Sequence, residues 1–284
     1  MVLFGNKFPF FSSLSSWCVV NLMSKPIIQS LWIGGSLSKI EQLCVASFLA
    51  NAHEFHLYTY GDVAGIPEGT IIKDANEIIP ERDIFTYSGG SYAGFADWFR
   101  WALLYQKGNF WVDTDVICLK PYHFDSDIIF GHESESLVCP AVLGFPAGHE
   151  LCDFLEKACC NPHNPLPYDS RKTRKRKFIR RLKRKDRSQI GWGEAGGPEG
   201  FTKALNYFNF FDKAKPFTYF YPIHWSNWNT IFDNTLANDI GLFHDTYSVH
   251  IWNEMTRRSK GFDKNGTFHH DSLFEQLKRK YGVS

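Results

Sequence analysis

Phe110-Trp111-Val112-Asp113-Thr114-Asp115-Val116-Ile117-Cys118-Leu119 reads as a short aromatic strand, two carboxylates one residue apart, and a second apolar strand. Carboxylates spaced that way at a strand end can both turn toward one point. A hard divalent cation that keeps waters and borrows further oxygens from a diphosphate needs that arrangement. A bare Asp-x-Asp arises by chance in many chains of 284 residues, so its surroundings decide its meaning. Immediately upstream, Phe95, Phe99, Ala102 and Leu103 recur at helical spacing, and Gly108 is placed to end the helix. Asp97 and Arg100, three apart, share a face away from Phe95 and Phe99. Two readings fit that pair. One is an exposed ion pair contributing about 0.3 kcal/mol. The other is a carboxylate and a guanidinium aimed at a sugar and its phosphate, beside the cation site.

Working outward, strands and helices alternate. Residues 27–33 read as a strand, and Ser38 caps a helix running to about Ala50, with Glu41 completing a capping box. Residues 55–59 form a second strand, 70–73 a third, and 76–79 a helical turn. Alternation predicts an α/β single domain, Rossmann-like, with a mostly parallel central sheet covered on both faces. Ligands of such sheets bind beyond the carboxyl ends of the strands, where Gly34-Gly35 and Asp113–Asp115 both fall. No G-x-G-x-x-G follows the first strand and no G-x-x-x-x-G-K-[ST] occurs, which sets aside dinucleotide and P-loop readings. Residues 144–148 and 162–167 read as loops. From Phe217 onward, short aromatic segments predict irregular structure over the edge of the site, and residues 271–281 a closing helix.

The run from Ala96 to Pro121, ADWFRWALLYQKGNFWVDTDVICLKP, resembles the sugar-binding region of DXD-containing nucleotide-sugar glycosyltransferases. The group includes α-1,4-galactosyl- and N-acetylglucosaminyltransferases, mannosyltransferases, and many bacterial capsular and lipopolysaccharide enzymes. Glucosylating domains of clostridial toxins are more distant. Asp97, Arg100, Gly108, Asp113, Asp115 and Leu119-Lys120-Pro121 match the pattern. Asn109 stands where a second glycine is usual and Trp111 where tyrosine is common, both turn or packing changes. SLWIGG (Ser30 to Gly35) is similar to the first strand and loop, YSVHIWNEM (Tyr247 to Met255) to a C-terminal His-x-Trp element, and Gly197-Pro198 to a helix opening late in the domain.

The resemblance implies a GT-A-type nucleotide-sugar-binding fold and a hexosyltransferase that uses Mn²⁺ or Mg²⁺. It implies that Asp113, Asp115 and His250 hold the metal, and that Asp113, Asp115 and Arg100 serve catalysis. Trp32 would stack on uracil with Ile33 and Gly34 beside it, and Asp97 and Arg100 would hold the donor hexose. Trp252 would offer its indole N–H to the β-phosphate. Plain readings stand beside these: His250 as a buried structural histidine and Trp32 as core packing. The family is mostly retaining, which without an evident nucleophile implies same-face attack with the leaving phosphate taking the acceptor's proton. Glu194 and Glu199, flanking Gly197-Pro198, lie where acceptor-side residues could sit. The expected partners are a nucleotide sugar, with UDP favoured as carrier, and a saccharide or lipid-linked saccharide acceptor in surface polysaccharide or lipopolysaccharide synthesis. A non-catalytic carbohydrate-binding protein, or a nucleic-acid-binding protein that uses the basic segment 171–189, is the alternative.

Aromatic residues make up 17% of the chain, enough for a sugar-binding cleft as well as a core. Seven cysteines without a C-x-x-C pattern point to a reducing compartment and to neither a disulfide framework nor a zinc site. The net charge of +1 conceals an asymmetry. Residues 171–189 hold twelve Lys or Arg against Asp186 alone, leaving nineteen basic and twenty-nine acidic residues elsewhere. Phe178, Ile179 and Leu182 within that basic insertion give a short amphipathic helix suited to an anionic membrane surface. A solvated insertion and nucleic-acid binding are the other readings of the segment, with no nucleic acid expected as partner. The expected location is cytoplasmic, peripheral on the inner face of the membrane. Residues 1–22 are too broken by serines and Pro9 to span a bilayer. They read as a mis-assigned start, an extension or a weak interfacial anchor ahead of a catalytic domain over 23–284.

Overall fold

In a computed structural model that describes residues 26–87, 89–237 and 243–284, the chain builds a six-stranded mixed sheet. The strands are β1 (Ile28–Trp32), β2 (Phe55–Thr59), β3 (Ile71–Asp74), β4 (Asn109–Val112), β6 (Ile129–Ser134) and β7 (Leu137–Phe145), and β5 (Val116–Cys118) pairs with β8 (Ser248–His250) in a separate ribbon. The helices are α1 (Lys39–Ala50), α2 (Ala93–Lys107), α3 (Glu150–Cys160), α4 (Arg171–Leu182), α5 (Pro198–Tyr207), α6 (Asn253–Arg258) and α7 (Leu273–Tyr281). The readings made for residues 1–22 lie outside the described residues.

Sheet order is β3-β2-β1-β4-β7-β6, with β1, β2, β3 and β4 parallel and β7 and β6 antiparallel. The expected α/β architecture with a parallel centre is present, and its edge is an antiparallel hairpin. The chain runs outward from β1 through β2 to β3 and then returns to the other side of β1 as β4. That reversal makes the crevice between β1 and β4 a topological switch point, where ligands of open α/β sheets bind.

Alternate strand residues serve opposite faces of the sheet. Ile28, Leu57, Phe110 and Val112 pack toward α1 and α7, whereas Leu31, Tyr58 and Trp111 pack beneath α2, α3 and α5. The α1 cap forms as read: Ser38 accepts from the backbone of Ile40, and Glu41 returns to the Ser38 N–H at 2.8 Å. Residues 144 and 145, read as loop, belong to β7. Gly144 lies under the ring of Phe110, where a Cβ would stand 2.8 Å from the ring, so this glycine marks a close approach within a strand. Pro198 takes the first turn of α5, where its missing N–H has no helical partner to lose. No helix among the described residues is long and apolar enough to cross a membrane.

Candidate active site

β4 delivers Asp113 to the switch point, and a tight turn closed by Val116 N–H on the Asp113 carbonyl at 3.0 Å carries Asp115 beside it. The antiparallel pairing of β5 with β8 sets Val116 opposite His250. That register brings a histidine from 135 positions downstream against Asp115, its Nε2 3.2 Å from Oδ2. Carboxylate oxygens of Asp113 and Asp115 and a ring nitrogen of His250 lie within 4.8 Å of one another. Two hard oxygens and one imidazole fit a divalent cation of the Mn²⁺ or Mg²⁺ kind, which completes its shell with waters and ligand oxygens.

The charges inside this group are fixed by neighbours. Burial pushes Asp115 toward neutrality, but His250, the Asn253 N–H and Lys264 outweigh it and hold its pKa below the usual carboxylate range. Burial opposes the His250 imidazolium, yet the Asp115 carboxylate prevails and raises its pKa well above the ordinary value. Each partner thus favours the charged form of the other, and a cation binding through His250 would compete with a proton there.

The Asn253 N–H that reaches Asp115 Oδ2 at 2.5 Å depends on a strained residue. Trp252 has φ +62° and ψ +56°, in the left-handed region that bulky side chains avoid. Such a conformation costs on the order of 1–3 kcal/mol and persists only where its surroundings impose it. Here they do: the Asn253 side chain donates to Glu41 Oε1 at 2.8 Å, Lys264 binds the same oxygen at 2.9 Å, and Trp252 Nε1 donates to the Ile223 carbonyl at 2.8 Å. One carboxylate, Glu41, thus caps α1 and braces the loop that grips Asp115. The Trp252 indole N–H thus points to a backbone oxygen in this structure, and the ring packs on His250 with centroids 4.1 Å apart.

The opposite wall comes from α2, which is buried on almost every side. Asp97 and Arg100 are 7% and 5% exposed, which removes the exposed ion-pair reading. The Arg100 guanidinium lies 3.0 Å from Asp113 Oδ1 and 3.5 Å from Asp97 Oδ1, and donates to the Pro140 carbonyl at 3.0 Å. Trp111 Nε1 donates to the same Asp113 oxygen at 2.8 Å, so the tryptophan standing in place of tyrosine orients the carboxylate. Burial pushes Asp97 up to about 7, with Arg100 opposing and Asp113 adding to the shift.

Gly197, ahead of α5, is pressed against Asp97. A Cβ there would stand 2.7 Å from Asp97 Oδ2 and 2.5 Å from the Gly193 backbone. Gly197→Ala is expected to displace this wall and destabilise the protein by about 1–3 kcal/mol, which a thermal melt reads directly.

These residues line a cleft of about 510 Å³. Trp32, Ile33, Asp97, Arg100, Asp113, Asp115, His250 and Trp252 all border it, whereas Gly34 does not. Trp32 is half-buried and its Nε1 is buried without a hydrogen-bond partner. Glu194 and Glu199 stand elsewhere: Glu194 binds Arg176 and Arg180 at 2.9 Å each, and Glu199 pairs with Lys203. Sequence reasoning passed over Glu133, Glu254 and the aromatic rim of Tyr92, Trp192 and Trp225. Burial raises Glu133 above the ordinary range, with His250 and His224 opposing, whereas Arg257 and Arg258 outweigh the burial of Glu254 and keep it low. Only Asn253 and Glu254 carried a signal, standing next to the His-x-Trp element.

Residues 201–281 match the alpha 1,4-glycosyltransferase conserved region. It takes in His250, Trp252 and Asn253, and the resemblance read from the sequence is borne out. The rat and gorilla lactosylceramide 4-alpha-galactosyltransferases are 27% and 26% identical over 183 residues, 64% of this chain. The aligned region covers 45% and 50% of those proteins, so the chain spans about half the length of the curated relatives it matches. A solved structure described as PaToxG Glycosyltransferase is similar with a TM-score of 0.45 at 15% identity, covering 65% of this chain and 70% of that one.

Proposed function

We propose that the protein is a metal-dependent glycosyltransferase that moves a hexose from a nucleotide sugar, with UDP the favoured carrier, to a saccharide hydroxyl. The observation that carries this reading is the convergence of Asp113, Asp115 and His250 at the foot of the cleft, with Trp32 on one side and the Asp97–Arg100 pair on the other. Asp113, Asp115 and His250 would hold Mn²⁺ or Mg²⁺, which when bound stabilises the charge on the departing diphosphate as a Lewis acid. Arg100 fixes the Asp113 carboxylate, and Trp252, packed on His250, sets the imidazole plane. Trp32 Nε1 and Arg100 Nε border the cleft as buried donors without a hydrogen-bond partner among the described residues.

Transfer breaks the bond from the anomeric carbon to the diphosphate oxygen and forms one to the acceptor oxygen. In the retaining course, both events take place on one face of the sugar and the acceptor's proton passes to the leaving phosphate. No side chain is then needed as base. The exposed faces of Tyr92, Trp192 and Trp225 at the rim suit an acceptor sugar, whose C–H surfaces pack on aromatic rings. A surface polysaccharide or lipopolysaccharide acceptor, handled at the cytoplasmic side, is the setting we favour.

Trp32→Ala should weaken UDP binding by roughly 1–3 kcal/mol if the ring stacks on the base. Calorimetry with UDP and Mn²⁺ measures it, and an unchanged affinity returns Trp32 to a packing role.

A further inference from the structure

Helix α4 is mounted on the body by its charges. Lys177, buried, pairs with Asp169 at 2.8 Å, and Arg176 and Arg180 both bind Glu194 at 2.9 Å. Its apolar residues point the other way. Phe178 and Leu182, one turn apart, are 64% and 73% exposed, with Ile179 next to them. A surface helix ordinarily turns its apolar stripe to the core, and this one is reversed.

The end of α4 and the turn beyond it line a second cavity of about 340 Å³ that shares no residue with the cleft. Cys160, Asn161 and His163 form one wall, and Arg181, Arg184, Lys185 and Arg187 the other. None of these four cations has an ion-pair partner among the described residues. Asp186, the one acid in the segment, turns its carboxylate to the Ser188 N–H at 2.9 Å. Two buried polar atoms of the lining have no partner: Nδ1 of His163, a residue 9% exposed, and one terminal nitrogen of Arg187, whose guanidinium lies over Trp98 at 4.5 Å.

The backbone points the same way. Arg184 has φ +48° and closes α4 with the pair of bonds that glycine usually makes, its own N–H to Arg181 and the Lys185 N–H to Arg180, both 2.9 Å. A left-handed arginine at that position carries strain, and in return its guanidinium joins the cavity wall.

We propose that α4 docks the protein on an anionic lipid surface, with Phe178 and Leu182 entering the headgroup region and the cavity taking one lipid phosphate among Arg181, Arg184, Lys185 and Arg187. Arginine forks suit phosphate oxygens. A soluble anion would need the cations but not the outward apolar strip, so the two features together select a lipid. The body outside residues 171–189, with nineteen basic against twenty-nine acidic residues, is repelled by such a surface, and the segment supplies the opposing attraction. The inference goes beyond sugar transfer, and its test uses no transfer assay.

The experiment is sedimentation of the full chain with vesicles of phosphatidylcholine alone or mixed with phosphatidic acid, whose exposed phosphate is the probe. The protein should sediment only with the mixed vesicles and less as salt rises. Arg184→Gly removes one guanidinium while relieving the backbone, and should weaken binding about five-fold, one cation's share near an anionic surface. Phe178→Ser with Leu182→Ser, at exposed positions, should weaken it about ten-fold or more. Wild-type sedimentation by both variants overturns the proposal. So does binding of inorganic pyrophosphate, lost in Arg184→Gly, without vesicle binding, because the cavity then serves a soluble phosphate. Retention of a single-stranded oligonucleotide in place of vesicles overturns it as well.

Discussion

Asp115→Asn is expected to lower nucleotide-sugar hydrolysis and transfer by about 10²-fold or more, the scale on which a preorganised charge at a reacting centre acts. The asparagine keeps an oxygen that can accept from the Asn253 N–H, so the strained Trp252 turn has a partner in the variant. The Asp115 charge that raises the His250 pKa is gone, so that pKa should fall back toward its ordinary value. Stability should fall by about 1–3 kcal/mol, because charge-assisted bonds become neutral ones in a buried place. Steady-state rates with saturating Mn²⁺ and a thermal melt separate the two effects. An Asp115→Asn protein that turns over at the wild-type rate would refute the metal assignment.

The largest effect on the fold is expected at Arg100. Arg100→Met leaves Asp97 and Asp113 facing each other without the guanidinium between them, and breaking a buried charge network in this way costs about 3–5 kcal/mol. Arg100→Lys should recover only part of that, because one ammonium cannot reach Asp97, Asp113 and the Pro140 carbonyl in the guanidinium's planar geometry. Urea unfolding of the full chain measures both variants, and equal stability of the wild type and Arg100→Met would contradict the buried clamp.

Asp97 adds a dependence on pH. Its pKa stands at about 7 in the folded protein against 3.8 ordinarily, so the unfolded chain loses this proton first. The stability this group contributes is complete below its unfolded pKa and is lost as pH rises through about 7. In Asp97→Asn that slope should vanish, which melting curves across neutral pH will show.

How much of this was legible in the sequence depended on whether the deciding partner was near in the chain. The α1 cap is local, Ser38 and Glu41 being three apart, and it forms as read. The Asp113–Asp115 pair is local too. The burial of Asp97 and Arg100 was not readable, because a charged pair at helical spacing looks the same on an exposed helix, and only the packing of α3, α5 and the Gly196-Gly197 loop around α2 encloses it. The hairpin of β6 and β7 left a weak signal, since the last eight residues of β7 are buried on both faces and show no alternation. His250 could be named from a resemblance but not placed, because its position follows from the register of β5 against β8. The competing bond of Trp252 to Ile223 spans 29 residues and had no sequence signature.

The most direct test of the account is a screen of nucleotide sugars for hydrolysis by the full chain with Mn²⁺, with Mg²⁺ and with chelator. A UDP-hexose cleaved in the presence of the metal, with activity lost to chelator and restored by adding Mn²⁺ back, is the predicted result. Hydrolysis indifferent to chelator, or no nucleotide sugar cleaved or bound under any of the three conditions, would contradict the assignment of Asp113, Asp115 and His250 as the centre of a glycosyltransferase site.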